Sequence, residues 1–427
     1  MPASGREKIT GDVMTKLNEK PKINLFILLC CAVYFMSYLT RKNYDACLVE
    51  IYTSMNITKT LAGLASTGAV ITYGAGQLLS GVLGDKLKPQ NIIISGLALT
   101  SVCNVLMPLS GNIYAMIVIW CINGLAQAMM WPPLVKIMSE KLSNADYKKA
   151  VLYVTIASSS ATIITYLLIP ICIKVSIWKT AFFISGGGAL AILFVWKFGI
   201  DYFNKVTGNV NNESVKEEAV SKVSFNTGFV FASGLIPIAI AIILQGTLRD
   251  GVTTWMPSIV SELYNLENSL SILTTIALPI LAIFSATIAS AIQRKMKNEV
   301  ASALLLFGVS LLSTVLLILF CRRSVIVSIV LFAVITACMH GINLMLVCEV
   351  PNYFAKYNLV STISGVLNSF TYVGAAISIY AIAAITEKTG NWEINFKIWA
   401  VISLLGLVFC AVTLKKWKSF RNAEGNI

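Results

Sequence analysis

Apolar stretches long enough to cross a membrane as helices recur along the whole of this chain, and that property bounds what it can fold into. A helix needs roughly 20 apolar residues to cross a ~30 Å hydrocarbon core, since no water there satisfies an open backbone group. About twelve such stretches can be marked, at 24–51, 60–84, 91–109, 113–138, 150–175, 178–199, 229–257, 269–292, 300–321, 325–350, 359–386 and 396–414. A β-barrel would show short alternating segments instead. The expected fold is an all-α membrane protein of about twelve transmembrane helices. Composition agrees: 56% of the 427 residues are hydrophobic and only 12% are charged.

The charges that remain are ordered. Arg6, Lys8, Lys16, Lys20 and Lys22 precede the first stretch, and Lys86 and Lys88, then Lys141, Lys148 and Lys149, follow in alternate loops. Lys205, Lys216 and Lys222, Arg294, Lys295 and Lys297, Lys356, and Lys415, Lys416, Lys418 and Arg421 continue the series, with Arg322 and Arg323 as the exception. The positive-inside rule then puts both termini in the cytoplasm of a multi-pass protein of a cell membrane. Net charge is +13, but it lies beside the bilayer, where anionic headgroups account for it, so nucleic acid is rejected as a partner. The ten cysteines lie in or at the ends of the apolar stretches and show neither a disulfide framework nor metal spacing. The first stretch has no cleavage site and is kept as a span.

The long polar break, K-V-T-G-N-V-N-N-E-S-V-K-E-E-A-V-S-K, divides six spans from six. It implies a six-helix bundle over 1–200, a cytoplasmic linker over 201–228 and a second six-helix bundle over 229–427, with the binding site between repeats at the bilayer midplane. Each half carries an arginine in its first span: Arg41 in L-T-R-K and Arg249 in T-L-R-D. An arginine at membrane depth costs ~2.5–3.5 kcal/mol on insertion scales, so it needs a wet cavity or a counter-charge. Local pairing of Arg41 with Asp45, and of Arg249 with Asp250, would explain either alone. The matched pair favours one anion site, because two guanidinium forks suit a tetrahedral oxyanion such as phosphate.

Tyr34, Tyr38, Arg41 and Asp45 follow at steps of four, three and four and form one helix stripe. Such a stripe is more often packing, but this one ends on the arginine. Lys42, about 100° round the helix, either pairs with an acid or adds positive field.

The segments Y-L-T-R-K-N-Y, G-V-L-G-D-K-L, M-W-P-P and L-R-D-G-V-T-T-W-M-P together resemble the major facilitator superfamily, in its organophosphate:phosphate antiporter branch. The resemblance runs from about Leu25 to Leu414. It implies two pseudo-symmetric six-helix bundles, no cofactor and no enzymatic activity. It also implies Arg41 and Arg249 as the phosphoryl clamp, Tyr34 and Tyr38 as cavity lining, and Gly81, Asp85 and Lys86 as a cytoplasmic gate element. Departures are visible: Gln77, a substrate-binding candidate that could still donate to a phosphoryl oxygen, stands where the family has a lysine, Ser159, also a substrate-binding candidate, near where it has a histidine, and Gly246 where it has a tyrosine one turn before the second arginine.

Asn123, Gln127 and Trp131 recur every four residues; cavity lining is favoured for Gln127 and Trp131, interhelical bonding for Asn123. His340, the only histidine, is expected mainly to be hydrogen-bonded between helices, with a proton-switch role as the alternative. Asn368 and Tyr372 share a face that either packs or touches substrate. The first expectation is a monomeric secondary transporter exchanging a phosphorylated organic anion for inorganic phosphate. A proton-coupled carboxylate or sugar-acid symporter, suggested by Asp45, Asp250 and Glu349 with His340 as a further coupling candidate, is the second, and a sugar-phosphate receptor the third.

Overall fold

The computed structural model describes residues 16–175, 177–207, 234–357 and 360–424, and every regular element among them is helical. In the first half these are α1 (Lys20–Ser54), α2 (Lys59–Lys86), α3 (Pro89–Leu109), α4 (Ile113–Ala128), α5 (Trp131–Lys141), α6 (Asn144–Val175) and α7 (Lys179–Thr207). In the second they are α8 (Leu235–Tyr264), α9 (Asn268–Thr274), α10 (Ala277–Met296), α11 (Glu299–Phe320), α12 (Val325–Asn343), α13 (Val360–Thr389) and α14 (Glu393–Glu424). Taking α4 with α5, α9 with α10, and α12 with the turns after it, eleven spans are long and apolar enough to cross a membrane. The 28-residue α2 completes six in each half.

Three spans read as continuous are broken, and proline has a hand in each. Pro132 and Pro133 lack the N–H groups that would continue α4, so α4 closes with tight bonds from Met129 and Met130 N–H to the Ala126 and Gln127 carbonyls, and α5 starts afresh at Trp131. Pro279 sits in the first turn of α10, after the short α9. Beyond α12 the chain passes through a π-helical segment, Leu344–Glu349, into a 3₁₀ segment, Val350–Tyr357, that holds Pro351. The polar linker begins later than hydropathy suggested, because α7 continues through 201–207; positions 208–228 of that linker lie outside the described residues.

Within the first bundle α1 packs on α6 and α7, and α2 on α4; within the second α8 packs on α13 and α14, and α11 on α14 and α12. Between bundles α2 faces α13, and α6 faces α9 and α10. Among the described residues the apolar core is joined across the halves at one end only. One cluster runs from Tyr44, Ala62 and Trp120 into Trp255 and Ala383, whereas Phe26, Met130, Trp196 and Phe203 form a separate core confined to the first bundle.

Polar contacts close the joined end. Glu262, near the end of α8, accepts from Lys59 Nζ (2.6 Å), Tyr52 Oη (2.9 Å) and Trp392 Nε1 (2.9 Å). Lys59 also lies over the Trp392 ring, 5.1 Å from its centroid. Beside it Glu387 accepts from the Thr60 N–H (2.8 Å), and Asn268 Nδ2 donates to Glu50 (2.6 Å). At the opposite end no hydrogen bond joins the halves among the described residues.

Glu262 is therefore the hub of the polar contacts that join the halves at this end. Losing it should remove about 1 kcal/mol from that closed state, the scale of an exposed ion pair with added hydrogen bonds. In a cysteine-free background, Ala383→Cys, buried against α2, is expected to react with a membrane-impermeant maleimide about fivefold faster once Glu262→Ala is added.

Candidate functional site

Arg41 and Arg249 both stand in the middle third of their helices, on the surfaces that the two bundles turn toward each other. Arg41 lies between two aromatic faces, with Cζ 4.4 Å from the Tyr38 centroid and 4.9 Å from that of Tyr73. Tyr73 in turn meets Tyr372 of α13 edge-on at 4.9 Å. On the other side Tyr38 packs on Tyr34 (5.2 Å) and Tyr34 on Trp131 (4.9 Å). The break before α5 sets Trp131 at the head of a new helix, where it closes this aromatic row.

The arginines are unequally satisfied. Arg249 places Nε (3.2 Å) and a terminal nitrogen (2.7 Å) on Oδ2 of its neighbour Asp250. Arg41 has no carboxylate partner among the described residues, and its buried Nε has no acceptor. Asp45, expected one turn on as its counter-ion, is turned to Lys42 (3.3 Å) and accepts from Ser66 Oγ of α2 (2.7 Å). Arg41 and Arg249 nevertheless share their surroundings, since Tyr38 and Tyr372 interact electrostatically with both.

Lys42, Asp45, Arg249 and Asp250 keep side-chain exposures of 16, 12, 14 and 17% at membrane depth, as groups lining a cavity do. His340 is exposed between the buried Met339 and Gly341 and lies within electrostatic reach of Arg249, Asp250 and Lys42. No hydrogen bond to another helix holds it among the described residues, contrary to the bonding expected for a lone histidine.

Other sequence candidates lie elsewhere. Gln127 is 1% exposed, accepting from Ser37 Oγ (2.6 Å) and donating to Thr40 Oγ1 (2.9 Å) and Thr100 Oγ1 (2.8 Å). Asn104 and Asn123 both donate to the Thr40 carbonyl, and Asn43 donates to Asn104. The structure thus places Gln127 in a polar network that fastens the flank of α1 to α3 and α4, rather than in the cavity. Gln77 and Ser159 are half-buried on α2 and α6, with no described bond to either arginine. Helix α2 extends through Gly81, Asp85 and Lys86, but their side chains lie outside the described residues.

The motif around Arg249 divides in the same way. A Cβ on Gly251 would meet Ser378 Oγ at 2.1 Å, and Trp255 Nε1 donates to the Ile379 carbonyl (2.9 Å), so both positions seat α8 on α13. At Gly246 a Cβ would meet the Thr371 carbonyl at 2.1 Å. No tyrosine fits there, and Tyr372 of the facing helix brings a phenol to the site. Tyr73 escaped sequence reading; its one signal was its place a turn before Gln77.

The Major Facilitator Superfamily model matches residues 30–379. The chain belongs to that superfamily. It is accordingly a multi-pass membrane transporter and not an enzyme. A glycerol-3-phosphate transporter of Bacillus subtilis (strain 168) is 23% identical, over 99% of this chain and 98% of its own. A probable hexose phosphate transport protein of Chlamydia trachomatis serovar D is 29% identical over 36% of this chain and 34% of its own, so the match spans about a third of that relative. These superfamily relatives fall in the branch that the motifs resemble. A solved peptide transporter, POT, in complex with sulfate superposes with a TM-score of 0.71 at 12% identity, covering 92% of this chain and 95% of that one, a likeness of fold alone.

The Gln127 network makes a prediction that separates support from binding. Gln127→Ala leaves three hydroxyl groups short of a partner and is expected to cost about 1–2 kcal/mol. Thermal unfolding in detergent should show the loss, while anion binding at saturating ligand is retained.

Proposed function

We propose that this protein carries a phosphorylated organic anion across a cell membrane in exchange for inorganic phosphate, with Arg41 and Arg249 as the phosphoryl clamp. The observation that carries the reading is the Arg41 guanidinium, held between Tyr38 and Tyr73 at membrane depth with no acid partner among the described residues. A permanent cation kept unpaired in a hydrocarbon slab has a purpose only if an anion arrives. The relatives named for glycerol 3-phosphate and hexose phosphate support phosphate as the head group.

In this reading the bundles rock about the anion, and the end latched by Glu262 opens as the other closes. The binding free energy of the anion lowers the barrier to that exchange of states. Tyr34, Tyr38, Tyr73, Tyr372 and Trp131 line the cavity, and Gly81, Asp85 and Lys86 belong to the gate on the side of the basic loops. That side is the cytoplasm, where both termini lie, and the protein acts as a monomer.

Arg41→Lys and Arg249→Lys keep the charge and lose the fork. Each is expected to lower phosphate-driven exchange in proteoliposomes by at least roughly tenfold. Near wild-type exchange in both variants would overturn the clamp. His340 and Asp250, facing the cavity together, favour proton-coupled symport as the second reading; uptake driven by a pH gradient without counter-phosphate would select it.

A further inference from the structure

The charges around Arg41 can be counted from the geometry, and the count bears on what the site accepts. Lys42 is matched by Asp45, which is fixed by Ser66, and Arg249 is matched by Asp250. Among the described residues Arg41 alone has no carboxylate partner, and its buried Nε has no acceptor. Among the described residues, the other titratable groups within electrostatic reach of this cluster are the phenols of Tyr34, Tyr38, Tyr44, Tyr73, Tyr166 and Tyr372 and the imidazole of His340. With these neutral, three cations and two carboxylates leave one excess positive charge.

A transporter must close over its guest, and charge left over at membrane depth is costly whichever its sign. One excess cation is cancelled by one negative charge, not two. We propose that the site takes its anion in singly charged form, and that Asp45 and Asp250 are the residues that set this preference. Each does so by consuming a cation that would otherwise face the ligand. A phosphomonoester, whose second ionisation lies near pH 6, then binds with one proton still on its phosphoryl group, whereas a sulfonate carries the fitting charge at every working pH. This inference rests on the anion-site reading of Arg41 and Arg249, and it adds the charge class of the substrate.

The test uses two small probes of matched shape, methyl phosphate and methanesulfonate, with affinities taken from thermal-shift titrations of the full-length protein at about pH 5.5 and about pH 7.5. The singly charged fraction of methyl phosphate falls about 25-fold over that interval for an ionisation near pH 6, and its affinity is expected to fall with it. Methanesulfonate affinity should stay level. Asp250→Asn, and separately Asp45→Asn, restore a cation and should shrink the fall for methyl phosphate to about threefold or less. His340→Gln should leave the fall intact, since the proton concerned is on the ligand.

Methyl phosphate binding equally well at both pH values would overturn the inference, as would loss of the pH dependence in His340→Gln or failure of methanesulfonate to bind where methyl phosphate does. These wild-type and His340→Gln outcomes decide the matter even if neither aspartate variant folds. If neither probe stabilises the protein at either pH, or if Arg41→Lys binds both unchanged, the anion site itself fails, an outcome distinct from a wrong charge class.

Discussion

An arginine with no acid partner among the described residues sits at the centre of this molecule, and the surrounding structure is organised around keeping it there. Placing a guanidinium in the hydrocarbon layer costs ~2.5–3.5 kcal/mol on insertion scales, a large fraction of what a folded domain has to spare. Two aromatic faces lower that cost by cation–π attraction without neutralising the charge. The side-chain exposure of Lys42 and Arg249 points to water nearby. On the flank of α1 the amides of Asn43, Asn104, Asn123 and Gln127 fix the helix by hydrogen bonds, leaving little rotational freedom for its arginine.

The second arginine depends on a different device. Helix α8 lies so close to α13 that Gly246 and Gly251 have backbone or hydroxyl atoms where a Cβ would be, and Gly374 on the facing helix is equally pressed against the Ile243 carbonyl. Backbone contact of this kind resists sliding, so α8 and α13 move as one body. Tyr372 rides on that body and Tyr73 on the other, which makes their edge-on contact a seam between the bundles beside Arg41. The continuous apolar core and the Glu262 hub lie on the far side of that seam, toward the closed end.

Much of this was legible in the sequence, and the rest failed for identifiable reasons. Spans and halves could be read because the bilayer imposes one long apolar length on every helix. Arg41 and Arg249 could be read because a cation in such a stretch is rare. Gln127 was misassigned because a four-residue repeat marks one helix face and is silent on whether that face meets a cavity or a neighbouring helix. Asp45 lies within reach of both Arg41 and Lys42 along α1, and Ser66 of α2, which helps fix the carboxylate, is a tertiary neighbour that no helical spacing reveals. Glu262 could not be read for the same reason: its partners Tyr52 and Lys59, around the turn after α1, and Trp392, before α14, lie far from it in the chain.

The repeats are pseudo-symmetric in helix order, but their arginines are chemically unequal. An anion reaching Arg41 meets donors with no competitor. At Arg249 it must displace, or share with, a carboxylate that already takes two N–H groups. On the anion-site reading the first bundle therefore captures and the second responds, because only the second has a bond to give up. The released carboxylate has a cation within electrostatic reach in Lys42 of the opposite bundle. An exchange of partners between Arg249, Asp250 and Lys42 would draw charges of opposite bundles together only when a ligand is bound. That conditional attraction across the gap is what a carrier needs so that its halves close on a loaded site and not on an empty one.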